Sequence, residues 1–172
     1  VWFRFSESPE ESMKLAVEAA QKALSLDDSD PGTHACFANL YYMQRQHDKA
    51  IASAKRALEL GPGEARAHHN LGRALMYACR FSESIPYVEE AIRLDPFPPS
   101  TYFHCLSVDY RFVGRYEEAV SLCKKAIQIA PDDYYAHIHL VFGYSLLGRE
   151  KEARAEAAEV LRINPKFSAE HF

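Results

Sequence analysis

Between Phe103 and Pro131 the apolar residues Leu106, Tyr110, Ala119, Cys123 and Ala126 fall three or four apart within two runs, split by Gly114 and stopped by Pro131. Spacing of that kind puts the apolar side chains of each run on one face of a helix, so the stretch predicts two helices joined by a short turn. The arrangement repeats. Thirty-four residues on, Leu140, Tyr144, Gly148, Ala153, Ala157, Val160 and Pro165 hold the same slots. Thirty-five residues back they are held by Leu71, Leu75, Cys79, Ser84, Val88, Ala91 and Pro96, and another 34 back by Phe37, Tyr41, Arg45, Ala50, Ala54, Ala57 and Pro62. Four copies at one period predict a solenoid of helix pairs, in which each unit buries its apolar face only against its neighbours.

The repeats are placed at 31–64, 65–98, 99–133 and 134–167, preceded by a partial repeat over 1–30 and followed at 168–172 by the start of a truncated helix. Helix pairs are expected at about 31–44 and 48–60, 65–78 and 82–94, 100–113 and 117–129, and 134–147 and 151–163. Ser8-Pro9 and Asp30-Pro31 supply start signals, a capping side chain followed by proline at the first helical position. The small residues Ala38, Gly72 and Ser107 on first helices, and Ala50, Ser84, Ala119, Ala153, Ala57, Ala91 and Ala126 on second helices, mark close approach, where a larger side chain would overpack. Gly114 and Gly148 stand where a first helix ends in a left-handed residue; Arg45 and Cys79 occupy that slot earlier, so their turns are either different or strained. One additional residue in the stretch from Asp95 to Pro99 lengthens a single inter-repeat loop.

This pattern of large, small and turn residues resembles the tetratricopeptide repeat, fully from Pro31 to Pro165 and partly in the flanks. The resemblance implies an all-α, right-handed α-solenoid whose first helices line a concave face. It also implies a scaffold for protein partners, binding through the second, fifth, sixth, ninth, twelfth and thirteenth positions of each repeat. Carried onto this chain, those positions nominate Asn39, Tyr42 and Met43 in the first repeat and Arg66, His69, Asn70, Arg73 and Tyr77 in the second. The third contributes His104, Arg111 and Phe112, and the fourth Tyr135, His139 and Phe142, with Leu146 at its thirteenth position. None of the residues at these positions is Asp or Glu, although the chain carries a net charge of −4. The expected ligand is therefore a peptide or partner segment with carboxylates for Arg66, Arg73 and Arg111 and aromatic or apolar groups for Tyr42, Tyr77, Phe112 and Phe142. Members of the family that hold the C-terminal carboxylate of heat-shock proteins use Lys, Asn and Arg at set positions. Asn39 and Asn70 match the two Asn, but Ala35, Thr101 and Cys105 stand where the cations belong, which argues against that activity. The stretches RALELGPGEARAHHNLGRALMYACRFSESI and AAEVLRINPKFS also look like the repeats that follow class III nucleotide cyclase or winged-helix domains in bacterial signalling proteins. That resemblance implies an alternative role as a regulatory or self-assembly appendage.

Mixed charges amounting to 26% of the chain give no basis for a nucleic-acid or membrane-surface partner, and no apolar run reaches the length needed to span a bilayer. The composition suits a cytoplasmic protein. Val1 stands in place of an initiator Met, so the sequence is expected to be a piece of a longer protein, and the hydrophobic VWFRF and KFSAEHF ends suggest self-association, testable at Trp2 and Phe172. Four scattered cysteines form no CxxC pair and read as small apolar residues of a reducing compartment. His69, His104 and His139 recur at 35-residue intervals, but repeats stack about 10 Å apart, whereas ligands of one zinc converge at about 2.0–2.3 Å. No metal or cofactor is expected. Nothing in the sequence matches a phosphate-binding loop, nucleophile elbow or HExxH, so no enzymatic activity is expected.

Overall fold

A computed structural model describes residues 8–168. Among these residues every regular element is a helix: α1 (Pro9–Leu26), α2 (Pro31–Met43), α3 (His47–Leu60), α4 (Ala65–Tyr77), α5 (Phe81–Leu94), α6 (Ser100–Phe112), α7 (Tyr116–Ile129), α8 (Tyr134–Leu146) and α9 (Glu150–Ile163). The predicted starts and stops hold to within a residue or two. The VWFRF end and the helix expected over 168–172 fall outside the described residues, Ser168 excepted.

Side-chain caps begin the helices that follow an Asp or Ser. Ser8 accepts from the Glu11 N–H, Asp30 from those of Gly32 and Thr33, and Asp133 from those of Tyr135 and Ala136. Successive helices pack in order, and the first helices α2, α4, α6 and α8 also touch one another in series, whereas α3, α5, α7 and α9 make no such contacts. The first helices therefore form the crowded inner side of a curved all-α solenoid, and the second helices spread over its outside. Its core is distributed. One cluster joins Ala38, Ala54 and Leu71, the next Val88, Leu106 and Ala119, and a third Val120, Leu140 and Ala153. Each straddles a junction between neighbouring repeats, so stability is built from nearest-neighbour interfaces.

All ten small slots named above are buried. At Gly72 an added Cβ would lie 2.4 Å from Val88 Cγ2, so the α4–α5 crossing depends on its absence. Gly72→Ala is expected to cost about 1–3 kcal/mol through overpacking. Chemical denaturation of Gly72→Ala, Val88→Ala and the double variant checks this, because the double should lose less than the sum of the singles.

All four intra-repeat turns use the same left-handed residue. Gly114 and Gly148 have φ of 85° and 70°, and Arg45 and Cys79 adopt 58° and 59° despite carrying Cβ atoms. The earlier turns are thus the same turn under strain. Histidines at one equivalent slot of three repeats tie down the inter-repeat loops. Nε2 of His34, His68 and His137 lies 2.9 Å from the carbonyl oxygens of Asp28, Pro62 and Pro131, respectively. Phe103 takes this slot in the third repeat, the one preceded by the lengthened loop.

Candidate functional site

The proposed binding residues lie on α2, α4, α6 and α8, and the structure divides them by depth. Met43, Arg66, Tyr77, Phe112, Tyr135 and Phe142 are exposed, and Asn39, Tyr42, Arg73, His104, Arg111 and His139 are partly so. His69 and Asn70 are buried and form the floor beneath this face. His69 stacks at 4.3 Å on Tyr102, a buried residue absent from the sequence-based set.

Contacts across repeats organise the exposed layer. The Arg73 guanidinium donates to Asn39 Oδ1 on the preceding first helix. Tyr42 and Tyr77 stack with ring centroids 3.9 Å apart. The Arg111 guanidinium carbon sits 4.8 Å from the Phe112 ring centroid and 4.7 Å from that of Phe142, a cation between two aromatic faces. Phe112 also stacks on Phe81 at 4.2 Å. These rings are exposed yet held in place by one another.

Electrostatics separates the three aligned histidines. His104 Nδ1 lies 3.4 Å from Asp133 Oδ2, with both side chains largely out of solvent. Burial alone would lower the His104 pKa, but hydrogen bonds to Asp133 and Cys105 and their charges outweigh it and hold the imidazole at about 9. Burial likewise opposes the Asp133 charge, and the His104 and Ser100 hydrogen bonds and the His104 charge bring it down to about 2. The pair is ionised at neutral pH. His69 and His139 are both pushed down to about 3, mainly by burial and then by positive neighbours, Arg73 and His104 for the first and His104 and Arg111 for the second. Two neutral imidazoles flank one charged one. His104 and His139 approach to 5.9 Å between ring centroids, but no group of three or more His, Cys, Asp or Glu side chains that could hold a metal occurs among the described residues.

The arginines differ in pairing, and Arg45, in the turn after α2, has no carboxylate partner among the described residues. Arg56, Arg80, Arg93, Arg115, Arg149, Arg154 and Arg162 each form an ion pair with Asp or Glu on the outside of the solenoid or in its turns. No carboxylate pairs with Arg66, Arg73 or Arg111 among the described residues. Burial lowers the Arg111 pKa, and its Nε is buried without a hydrogen-bond partner.

Sequence reasoning missed two acids. Asp133 is recognisable as an N-cap, one residue before α8, but nothing local shows that it reaches His104, 29 residues away. Asp109 is fully buried, with Oδ2 2.6 Å from Ser84 Oγ, which is itself 2.8 Å from the Gly72 carbonyl oxygen. A single hydroxyl proton cannot serve two acceptors. The contacts are consistent when Asp109 is a neutral carboxylic acid donating to Ser84, whose hydroxyl donates to Gly72. Burial pushes the Asp109 pKa up to about 7.

Two family models, both described as tetratricopeptide repeat, match residues 37–99 and 113–171. Tetratricopeptide repeat protein 37 of Xenopus laevis is 29% identical over 149 residues, covering 86% of this chain but 10% of that protein. The first three curated relatives are covered over only 23%, 10% and 43% of their lengths. Among solved structures, PilW, a widely conserved type IV pilus biogenesis factor, aligns with a TM-score of 0.85 at 21% identity, over 93% of this chain and 74% of PilW. YrrB, a TPR protein described as having an unusual peptide-binding site, aligns at 0.69 and 22% identity, over 86% of this chain and 75% of YrrB. No helix among the described residues is long and apolar enough to cross a membrane. The residue pattern, the stacked helix pairs and the two family matches agree: the chain belongs to the tetratricopeptide repeat family.

Proposed function

We propose that this chain is a protein-interaction module whose concave face binds an acidic segment of a partner protein, with aromatic or apolar side chains beside the acids. The observation that carries this reading is the contrast between paired and unpaired arginines. Seven arginines outside the concave face are neutralised by their own chain, while Arg66, Arg73 and Arg111 face the groove with no carboxylate among the described residues. Desolvating a cation without a partner is costly, and a carboxylate arriving at Arg111 or Arg73 meets charge-assisted hydrogen bonding. The stacked Tyr42–Tyr77 pair and the Phe112–Arg111–Phe142 layer add rigid apolar area. The peptide-binding description of YrrB supports the same use of the fold.

The test is the double charge reversal Arg73→Glu with Arg111→Glu, read by fluorescence anisotropy with labelled acidic peptides. Binding is expected to disappear, and wild-type binding is expected to weaken as salt rises. Unchanged affinity in the double variant would remove the groove from the account.

A further inference from the structure

We propose that the contact between Asp109 and Ser84 is a proton-operated lock at the junction of the second and third repeats. A proton on Asp109 keeps the junction closed, and its loss opens the array at that one place. This stands whether or not the groove binds an acidic segment.

Comparison of the repeats singles out this contact. Ser84 on α5 and Asp109 on α6 meet across the junction, and the equivalent slots elsewhere hold Ala16 and Leu40, Ala50 and Ala74, and Ala119 and Gly143. The fold closes its other junctions with no polar side chain at these slots, so packing gives no cause for a carboxyl here.

The geometry of the contact requires a proton. Asp109 is fully buried, its Oδ2 lies 2.6 Å from Ser84 Oγ, and its Oδ1 is buried without a hydrogen-bond partner. Ser84 has one proton to give and lies 2.8 Å from the Gly72 carbonyl oxygen as well. The protonated acid satisfies both contacts. A carboxylate would be a buried charge facing a single donor, and taking that donor would strip the bond from Gly72. No room for water exists beside Ser84, because an added Cβ at Gly72 would lie 3.4 Å from Ser84 Oγ and 2.4 Å from Val88 Cγ2. Hydrating the charge therefore means parting α6 from α4 and α5, which separates the third repeat from the second. Burial pushes the Asp109 pKa up to about 7, so the lock releases near neutrality.

No charged group faces the carboxyl from the elements packed around it. On α4, His68 holds the Pro62 carbonyl oxygen, His69 stacks on Tyr102 and Arg73 donates to Asn39. On α5, Glu83, Glu89 and Glu90 are taken by Arg80, Tyr110 and Arg93. On α6 itself, His104 pairs with Asp133, and Arg111 lies against Phe112 and Phe142. The Cys123 thiol of α7 lies 3.0 Å from Ser107 Oγ; on α8, His137 is held by Pro131 and Glu156, and His139 lies against His104. Arg66, Glu117, Glu118, Lys124 and Lys125 are exposed. The junction thus answers to one proton. Two irregularities let it give: Pro86, two residues after Ser84, has no N–H for α5, and the Asp95–Pro99 loop joining α5 to α6 is one residue longer than its counterparts.

The fold supplies its own reporters. Cys105 is buried in the apolar cluster of this junction with Met76 and Val88, and Cys123 in that of the next junction with Leu140. The test follows labelling of both thiols in the full chain by a pyridyl disulfide, resolved by peptide mass spectrometry, at pH 5, 6, 7 and 8. It compares wild type with Asp109→Asn and with Ser84→Ala plus Asp109→Ala, the pair found at Ala50 and Ala74, each checked for folding by circular dichroism. Dividing the wild-type rate by the variant rate at the same pH removes the ionisation of the thiol itself. For Cys105 this ratio is expected to rise about tenfold for each pH unit from 5 to 7, one proton leaving per opening, and to level off above 7. At pH 8 wild-type Cys105 is expected to label faster than Cys123 and to respond little to dilute urea, because a local opening exposes little surface. A Cys105 ratio independent of pH against both variants overturns the lock, as does a Cys105 that resists labelling throughout. Equal rates and equal urea slopes for the two thiols overturn it too, since the whole chain would then be unfolding.

Discussion

Replacing Asp109 with Asn is expected to stabilise the protein by up to about 4 kcal/mol at pH 8 while changing little near pH 4. The buried carboxyl has its pKa raised from 3.8 to about 7 in the folded state. At 1.36 kcal/mol for each pKa unit, that difference corresponds to about 4 kcal/mol of linkage. The sign follows from which state holds the proton. Between pH 3.8 and 7 the unfolded chain has released it and the folded chain keeps it, so stability falls as pH rises. Below 3.8 the contribution is fully present, and above 7 it is fully lost. An amide in place of the carboxyl has no proton to lose, and its NH2 could donate to Ser84 as the protonated acid does, leaving the Ser84 to Gly72 hydrogen bond intact. Urea unfolding of both proteins from pH 4 to pH 8 is the check. The curves should meet at the acid end and separate towards pH 8. Parallel curves would mean that Asp109 is ionised in the fold throughout.

The second large effect is expected at Asp133, where one side chain caps α8 and also pairs with His104 of the neighbouring repeat. Asp133→Ala should cost about 3–5 kcal/mol near pH 6, because it strands a buried imidazolium and uncaps the helix. Asp133→Asn can keep the cap and should cost less. The pH dependence has two edges. His104 is raised from 6.5 to about 9, so its contribution is present below 6.5 and lost as pH climbs through 9. Asp133 is lowered from 3.8 to about 2, so its contribution is present above 3.8 and lost as pH falls through 2. Thermal unfolding at pH 5.5 and at pH 10 separates the cases. The difference between wild type and Asp133→Asn should be large at the first pH and small at the second; a difference unchanged between them would assign the effect to capping alone.

The groove connects these residues to the proposed binding. His104 carries its charge because Asp133 supports it, and that charge helps keep His69 and His139 neutral. The positive character of the concave face therefore comes from Arg66, Arg73 and Arg111, with the charge of His104 largely balanced by Asp133.

Much of this architecture is carried by local pattern. Helix starts at Pro9 and Pro31 follow from a capping side chain and a proline within two residues of each other, and the 34-residue spacing of Leu106 and Leu140 sets the register of the stack. Close approach is equally legible, since Gly72 and the alanine slots announce it by size alone. The candidate concave positions came from the resemblance to the tetratricopeptide repeat, and Arg66, Arg73 and Arg111 stand among them. By itself, then, the amino-acid sequence determined the helix pairs and their stacking order, because both depend on separations within one period. The tertiary structure alone decided that His69 and Asn70 lie beneath the surface, that Asp133 reaches His104 and that Asp109 is sealed against Ser84. Those outcomes depend on how one repeat tilts onto the next, and burial and pairing across 25 or 29 residues leave no periodic trace in the chain.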